Sequence, residues 1–133
     1  MAKEAPTITV AVDDSGGSAR SIENDLTSVD WATPRGTQDV TGVDKAAIER
    51  LLLLADASAT FSGVFNDASN KGHDVFKTVS SASVARTVTL VMSGKTLANE
   101  MFLTDYALSR SSAGELTYSV PAVLSDGTAP TWS

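Results

Sequence analysis

Strict alternation of apolar and polar residues constrains this chain more than any other feature. Ala59, Phe61, Gly63 and Phe65 interleave with Ser58, Thr60, Ser62 and Val64. Val88, Leu90 and Met92 interleave with Thr87, Thr89 and Val91, and Leu116, Tyr118 and Val120 with Glu115, Thr117 and Ser119. Side chains along a strand point to opposite faces in turn, so each run builds a sheet with one apolar face and one hydroxyl-rich face. Groups that perform chemistry are scarce beside this scaffold, with one His and no Cys in the chain. A sheet-building chain without a reaction centre points to holding, packing or assembling, and an enzyme is not expected.

At 133 residues the chain is one domain's length. Such a domain buries about 65–70% of the surface its unfolded chain exposes, enough for a core without staples. A single domain over residues 1–133 is expected, with short terminal arms at 1–6 and 128–133. The lack of Cys removes disulfides and thiolate metal sites and fits a reducing compartment. Met1 to Pro6 carry no apolar stretch, and the longest aliphatic run, Leu51 to Ala55, is far short of the ~20 residues that span a bilayer. The expectation is a soluble chain made in the cytoplasm, with no membrane partner. Net charge is −6 and the pI is near 4.5. That balance keeps single copies soluble and repels nucleic acid at long range, so a polyanion would slide past such a surface instead of being gripped.

Along the chain, Ile8, Val10 and Val12 mark a first strand over Thr7 to Asp13, closed by the turn formers Asp13 to Ser18. Ala19 to Leu26 has no clear period. Val29 and Trp31 suggest a short strand that Pro34 to Thr37 breaks. A helix is then predicted, opening at Thr41-Gly42-Val43-Asp44, where Thr41 caps forward and Asp44 reaches back, or Asp44 is itself the cap. Ile48, Leu51, Leu52 and Ala55 recur at i, i+3, i+4 and i+7 as a stripe to lie on the sheet, with Lys45, Glu49 and Arg50 off it. After the strand Ser58 to Phe65 comes a polar loop, Asn66 to Asp74, and Asp74 is placed to cap a helical turn through Val75, Phe76 and Val79. Arg86 to Met92 and Thr96 to Leu108 read as strands joined by a hairpin at Ser93-Gly94-Lys95. Ser111 to Gly114 leads to a last strand from Glu115 to Val120, and Asp126-Gly127 to a final turn. The fold class is mainly β with one flanking helix.

Each motif that hints at chemistry fails on its own requirements. Gly94-Lys95-Thr96 looks like the end of a phosphate-binding loop, but the Gly needed five residues earlier is Thr89, inside a strand. Asp67 to Gly72 has the start of a calcium loop, yet its fifth position is Lys71 and its twelfth is Thr78 instead of Glu. His73 has no metal-binding or nucleophilic companion in the sequence and reads as solvent-facing or loop-bracing. Asp13-Asp14, Asp25 and Asp30 sit among turn residues at strand ends, where nothing would tune them for acid–base work.

The order of landmarks adds to this. Thr27-Ser-Val-Asp-Trp31 is followed by Gln38-Asp-Val-Thr-Gly42 and then by the run Ala55 to Phe65. The chain ends with Gly114-Glu-Leu-Thr117 and Asp126-Gly-Thr-Ala-Pro-Thr-Trp132. From about Thr7 to Trp132 it resembles the tail tube (major tail) proteins of long-tailed bacteriophages. The resemblance implies a β-sandwich or split β-barrel flanked by a helix. It further implies six copies closing into a ring and rings stacking into the hollow tail tube of the virion, through which DNA passes without specific binding. Implied partners are other copies of the chain and the tail-tip, tape-measure and terminator proteins, with no cofactor and no metal. On this reading inter-ring contacts come from flexible segments. These are Thr33, Pro34, Arg35, Gly36, Thr37, Gln38 and Asp39 in the first, and Asn66, Asp67, Asn70, Lys71 and Asp74 in the second. Deleting Asn66 to Asp74 is then expected to leave a folded monomer that does not polymerise. Glu100, Thr104, Asp105 and Thr117 are the expected lumen-facing residues, and Ile48, Leu51, Leu52 and Ala55 the helix-packing ones. The rival structural reading is a capsid decoration or head–tail joining protein, which would form trimers or single rings; a small binding barrel or enzyme with a closed pocket is the other.

Overall fold

The computed structural model describes residues 7–133, so the expected arm at 1–6 lies outside the described residues. Ten strands and one short helix follow in order: β1 (Ile8–Asp13), β2 (Ala19–Ser21), β3 (Leu26–Ala32), β4 (Arg35–Asp39), β5 (Arg50–Ala55), β6 (Ser58–Val64), α1 (Gly72–Phe76), β7 (Arg86–Met92), β8 (Lys95–Leu103), β9 (Ala107–Arg110) and β10 (Leu116–Leu124). Eight strands form one sheet in the order β2-β1-β7-β8-β10-β6-β3, with β9 also on β10, while among the described residues β4 and β5 pair only with each other.

β10 is where the sheet splits. One of its edges pairs with β6 from Thr117 to Val123. The other is shared, β9 taking Leu116 to Ser119 and β8 taking Ala122 to Leu124. The sheet therefore doubles over, and the apolar members of each alternating run meet inside. Val10, Val12, Phe61, Val88, Met101 and Val120 are all at most 1% exposed. Each such side chain contributes roughly 1.5–3 kcal/mol by leaving water. The barrel does not close. Between Ile8 and Val10 on β1 and Leu26 to Val29 on β3 lies a cleft of about 280 Å³.

Two polar nodes tie the connections to this core. Asp25, 7% exposed, accepts from Asn66 Nδ2 at 2.7 Å and from the Gly72 N–H at 3.1 Å, anchoring the loop before α1 to the start of β3. Arg86, 2% exposed, works at the other end of the helix. Its Nη1 donates to the Val75 carbonyl and, at 3.4 Å, to that of Asp13, and its Nη2 donates to Thr78 Oγ1 at 2.9 Å. Burial pulls its pKa below the ordinary arginine value, against the opposing fields of Asp14 and Asp13. Replacing Arg86 by Met keeps the volume but strands these acceptors. The expected cost is about 2–3 kcal/mol, read as a fall in the urea midpoint without change in slope.

Several sequence expectations are corrected. No helix forms over Asp44 to Ala55; the segment turns and becomes β5. Thr41 does not cap a helix. Its hydroxyl accepts from the Glu49 N–H at 2.8 Å and donates to Asp39 Oδ1 at 2.6 Å, closing a hairpin tip. Ile48, Leu51 and Leu52 lie outside the core, with exposures of 61%, 53% and 56%, and Ala55 is half-buried. The helix is α1, and Asp74 does not cap it. Lys71 holds the N-cap position without a side-chain bond, while Asp74 Oδ2 accepts from the Asn70 N–H at 2.8 Å. That bond lowers the Asp74 pKa and holds Asn70 at a positive φ of 63°. Pro34 to Thr37 does not end a strand for long, since β4 begins at Arg35. Thr96 to Leu108 is two strands, because the Thr104 N–H donates to Pro121 O and the chain turns there to reach β9. The Ser93-Gly94 turn forms where expected, with φ of 51° and 76°, the two positive values a tight hairpin needs.

Candidate assembly interface

The strands β3–β4 and β5–β6 are two halves of a single ribbon. Ala32 pairs with Ser58 and Arg35 with Ala55, one unbroken register, and between them the Asp56 N–H donates to Pro34 O at 3.0 Å. Pro34 has no N–H to give, so the ladder thins at that point. On one side of it the ribbon belongs to the main sheet. On the other it runs out as the β4–β5 blade, about 17 Å of strand at 3.3 Å per residue.

The blade is built around a bulge. Between Arg35 and Thr37 the β5 strand carries one residue more than β4, so Leu53 and Leu54 both face Gly36. The carbonyl freed at Leu53 is taken by Arg35, whose Nε and Nη2 donate to it at 2.9 and 2.8 Å. Gly36 lies under the Leu53 side chain, and a Cβ there would meet Leu53 Cδ1 at an ordinary contact distance of 3.4 Å. Of the fourteen large apolar side chains exposed among the described residues, seven sit on this one hairpin: Val40, Val43, Ile48 and Leu51 to Leu54. Leu51 and Leu53 lie on one face and Leu52 on the other, by register. A two-stranded hairpin is marginal alone in water, and one greasy on both faces is an interaction element.

The main sheet presents the opposite character outward. Rows across the strands, read from the pairings, run Ala32–Ser58–Val123–Phe102, then Asp30–Thr60–Pro121, then Ser28–Ser62–Ser119–Ala107. Thr117 follows beside Val64 and Ser109, and Glu100 lies beside Thr87, to which it is hydrogen-bonded. Every basic residue on a main-sheet strand has the other parity: Arg20 opposite Val12, Arg86 opposite Met101, Lys95 opposite Met92 and Arg110 opposite Leu116. Among the described residues the outer face thus carries hydroxyls, small residues, a few acids and the apolar Val64, Phe102 and Val123, and no cation.

The residues singled out from sequence distribute as follows. Arg35 to Asp39 form β4, and Thr33 and Pro34 lead into it; all seven are exposed. Asn66 to Asp74 is not free chain. Asn66 and Gly72 are bound to Asp25, Asn66 Oδ1 accepts from the Ala68 N–H at 3.0 Å, and Val75 and Phe76 just beyond are core. Deleting it would remove the helix anchor, so the folded monomer expected of that deletion is not. Glu100 and Thr117 share the outer face, whereas Thr104 and Asp105 lie in the connection between β8 and β9. His73 braces the loop within an aromatic cluster, its ring centre 4.9 Å from Phe65 and its Nδ1 3.3 Å from the Tyr106 hydroxyl. The leucine run is visible in the sequence, but its pairing as a strand with β4 is masked by its helical spacing.

No protein-family profile matches the sequence. No curated protein matches it either. Solved structures do. A chain in the tail of an empty gene transfer agent particle, reconstructed with C6 symmetry, superposes with a TM-score of 0.78 at 18% identity, covering 95% of each chain. A chain of the native gene transfer agent virion gives 0.74 at 18% identity, over 93% of this chain and 95% of that one. A chain from the sheath/tube terminator structure of an extracellular contractile injection system, PVC, gives 0.69 at 12% identity over 99% of both. The fold is that of phage-like tail tubes, mainly β with one short helix and an unclosed barrel.

Proposed function

We propose that this chain is the structural subunit of a hollow phage tail tube, assembling into stacked rings of six. The β4–β5 blade carries the reading, because its exposed leucines have no cover within the described chain and a stacked copy supplies it. The C6 symmetry of the matched tail supports six copies per ring. The cation-free outer face suits a lumen wall, since DNA moving along hydroxyls and carboxylates finds no counter-ion to exchange. Glu100 belongs to that wall, Thr117 lies at its rim where the next ring meets it, and inter-ring contact belongs to Thr33 to Asp39 with β5. Asn66, Asp67, Asn70 and Lys71 form a secondary contact surface over α1. No catalytic role is assigned. The tail tip, tape measure and terminator are the partners at the ends and inside of the tube. Among the described residues no helix is long and apolar enough to cross a membrane, and the site of action is the virion tail.

Limited trypsin digestion tests the role of the blade. Lys45 and Arg50 lie on the exposed tip and blade, so dispersed subunits are cut there first. In assembled protein these cuts slow by roughly tenfold or more, as expected for backbone that must detach before cleavage. Equal cutting in both states would place the blade outside the contact. A decoration or joining protein would instead give single rings or trimers by electron microscopy.

A further inference from the structure

We infer that the receptor for the blade is the groove at the far end of the same sheet, over the N-terminal half of β10, on a second copy of this chain. The inference rests on the tube reading and assigns the surface that reading leaves open. The groove encloses about 400 Å³ between β9 and β6 and is lined by Thr27, Ser62, Leu108, Ser109, Thr117 and Ser119, among others. Among the described residues no charged one lines it, and Leu108, 48% exposed, stands at its edge. The blade face formed by Gly36, Gln38, Leu51 and Leu53 is also without charge, so the two surfaces meet with no ion to desolvate.

Placement along the ribbon selects this groove over the other exposed apolar patch. Phe102 and Val123, 46% and 43% exposed, share a row with Ala32 and Ser58, the point at which the blade leaves the sheet. A copy stacked head to tail brings its blade to the opposite end of its neighbour's strands. There Val64 pairs with Thr117, and Ser109 with Thr117 on the other side. Blade and groove at opposite ends of one strand set make a heterologous contact that repeats without closing, the geometry of a filament axis. One face of a blade this size covers a few hundred Å², well below the roughly 800 Å² per partner of a stable pair. A lone pair of copies therefore does not persist, and the contact is populated only when rings present several at once.

The absence of Cys makes the test clean. Leu51→Cys combined with Ser109→Cys is assembled and oxidised mildly, then run on a non-reducing gel; Leu51→Cys with Phe102→Cys is the comparison. A ladder of covalent multimers from the Ser109 pair, and little from the Phe102 pair, is expected. The reverse pattern overturns the assignment while leaving the tube reading intact. Hydrogen exchange on the unaltered protein gives a second reading independent of the variants. Ala107 to Ser109 should exchange at least roughly tenfold more slowly in tubes than in dispersed subunits, and unchanged exchange there overturns the groove. If the unaltered protein forms no tube, the tube reading itself fails.

Discussion

Serine at both Leu51 and Leu53 abolishes tube formation and leaves the isolated subunit's fold intact. Both side chains are half-exposed and lie outside the core, so their loss costs the monomer at most about 0.5 kcal/mol, a shift of about 2 °C in melting temperature. In the proposed stack of rings the same side chains are dry. Burying the exposed half of a leucine contributes roughly 0.8–1.5 kcal/mol and an unpartnered hydroxyl in its place costs about 1 kcal/mol or more, so the two substitutions amount to about 3–5 kcal/mol per copy. The concentration needed for assembly then rises by at least about 100-fold. Sedimentation across a concentration series, with melting curves on the same samples, separates the two effects. Tubes at the unaltered threshold would remove the blade from the interface. A collapsed melting temperature would mean that the leucines support the subunit itself.

Gly63→Ala acts at the opposite pole, on the fold. At the start of β3 an extra residue, Thr27, bulges out against β6, and this presses the Asp25 backbone onto Gly63. A Cβ at Gly63 would lie 2.2 Å from the Asp25 carbonyl oxygen and 2.9 Å from the Tyr118 hydroxyl. Neither can yield cheaply. The Asp25 carbonyl accepts from the Val64 N–H at 2.9 Å, and the Asp25 carboxylate holds the α1 loop. Tyr118 is 3% exposed inside the aromatic cluster with Phe76 and Tyr106. One methyl group thus forces apart the bulge, the helix anchor and the core together. The expected loss is on the order of 4 kcal/mol, at the upper end for overpacking. Ser62→Ala, next along the strand but pointing outward, should cost at most about 0.5 kcal/mol in the same urea titration. Equal stability of Gly63→Ala and the unaltered protein would show that the bulge opens freely.

Period-two alternation located β1, β6, β7 and β10 because each has one face in the core, and a buried face enforces the pattern. The blade was misread for the converse reason. Leu51 to Leu54 have no core side, so nothing imposed a period, and four consecutive leucines satisfy a helical stripe as readily as a strand. What decides between them is pairing with β4 in the register set by β3 and β6, a long-range fact. Ala19 to Leu26 was opaque because its role depends on single residues, Ile22 in the core and Asp25 under the helix, not on a repeat. The outer face was half legible. Glu100 and Thr117 follow from alternation, but the exclusion of cations from the whole face emerges only once the strands are laid side by side.

Helical reconstruction from electron micrographs of the concentrated, unaltered protein tests the central claim most directly. The account predicts hollow tubes of stacked sixfold rings, with Leu51 and Leu53 covered by the next ring and Thr60 and Glu100 facing the channel. Dispersed monomers at every concentration, or a tube whose blades project into solvent, would contradict it.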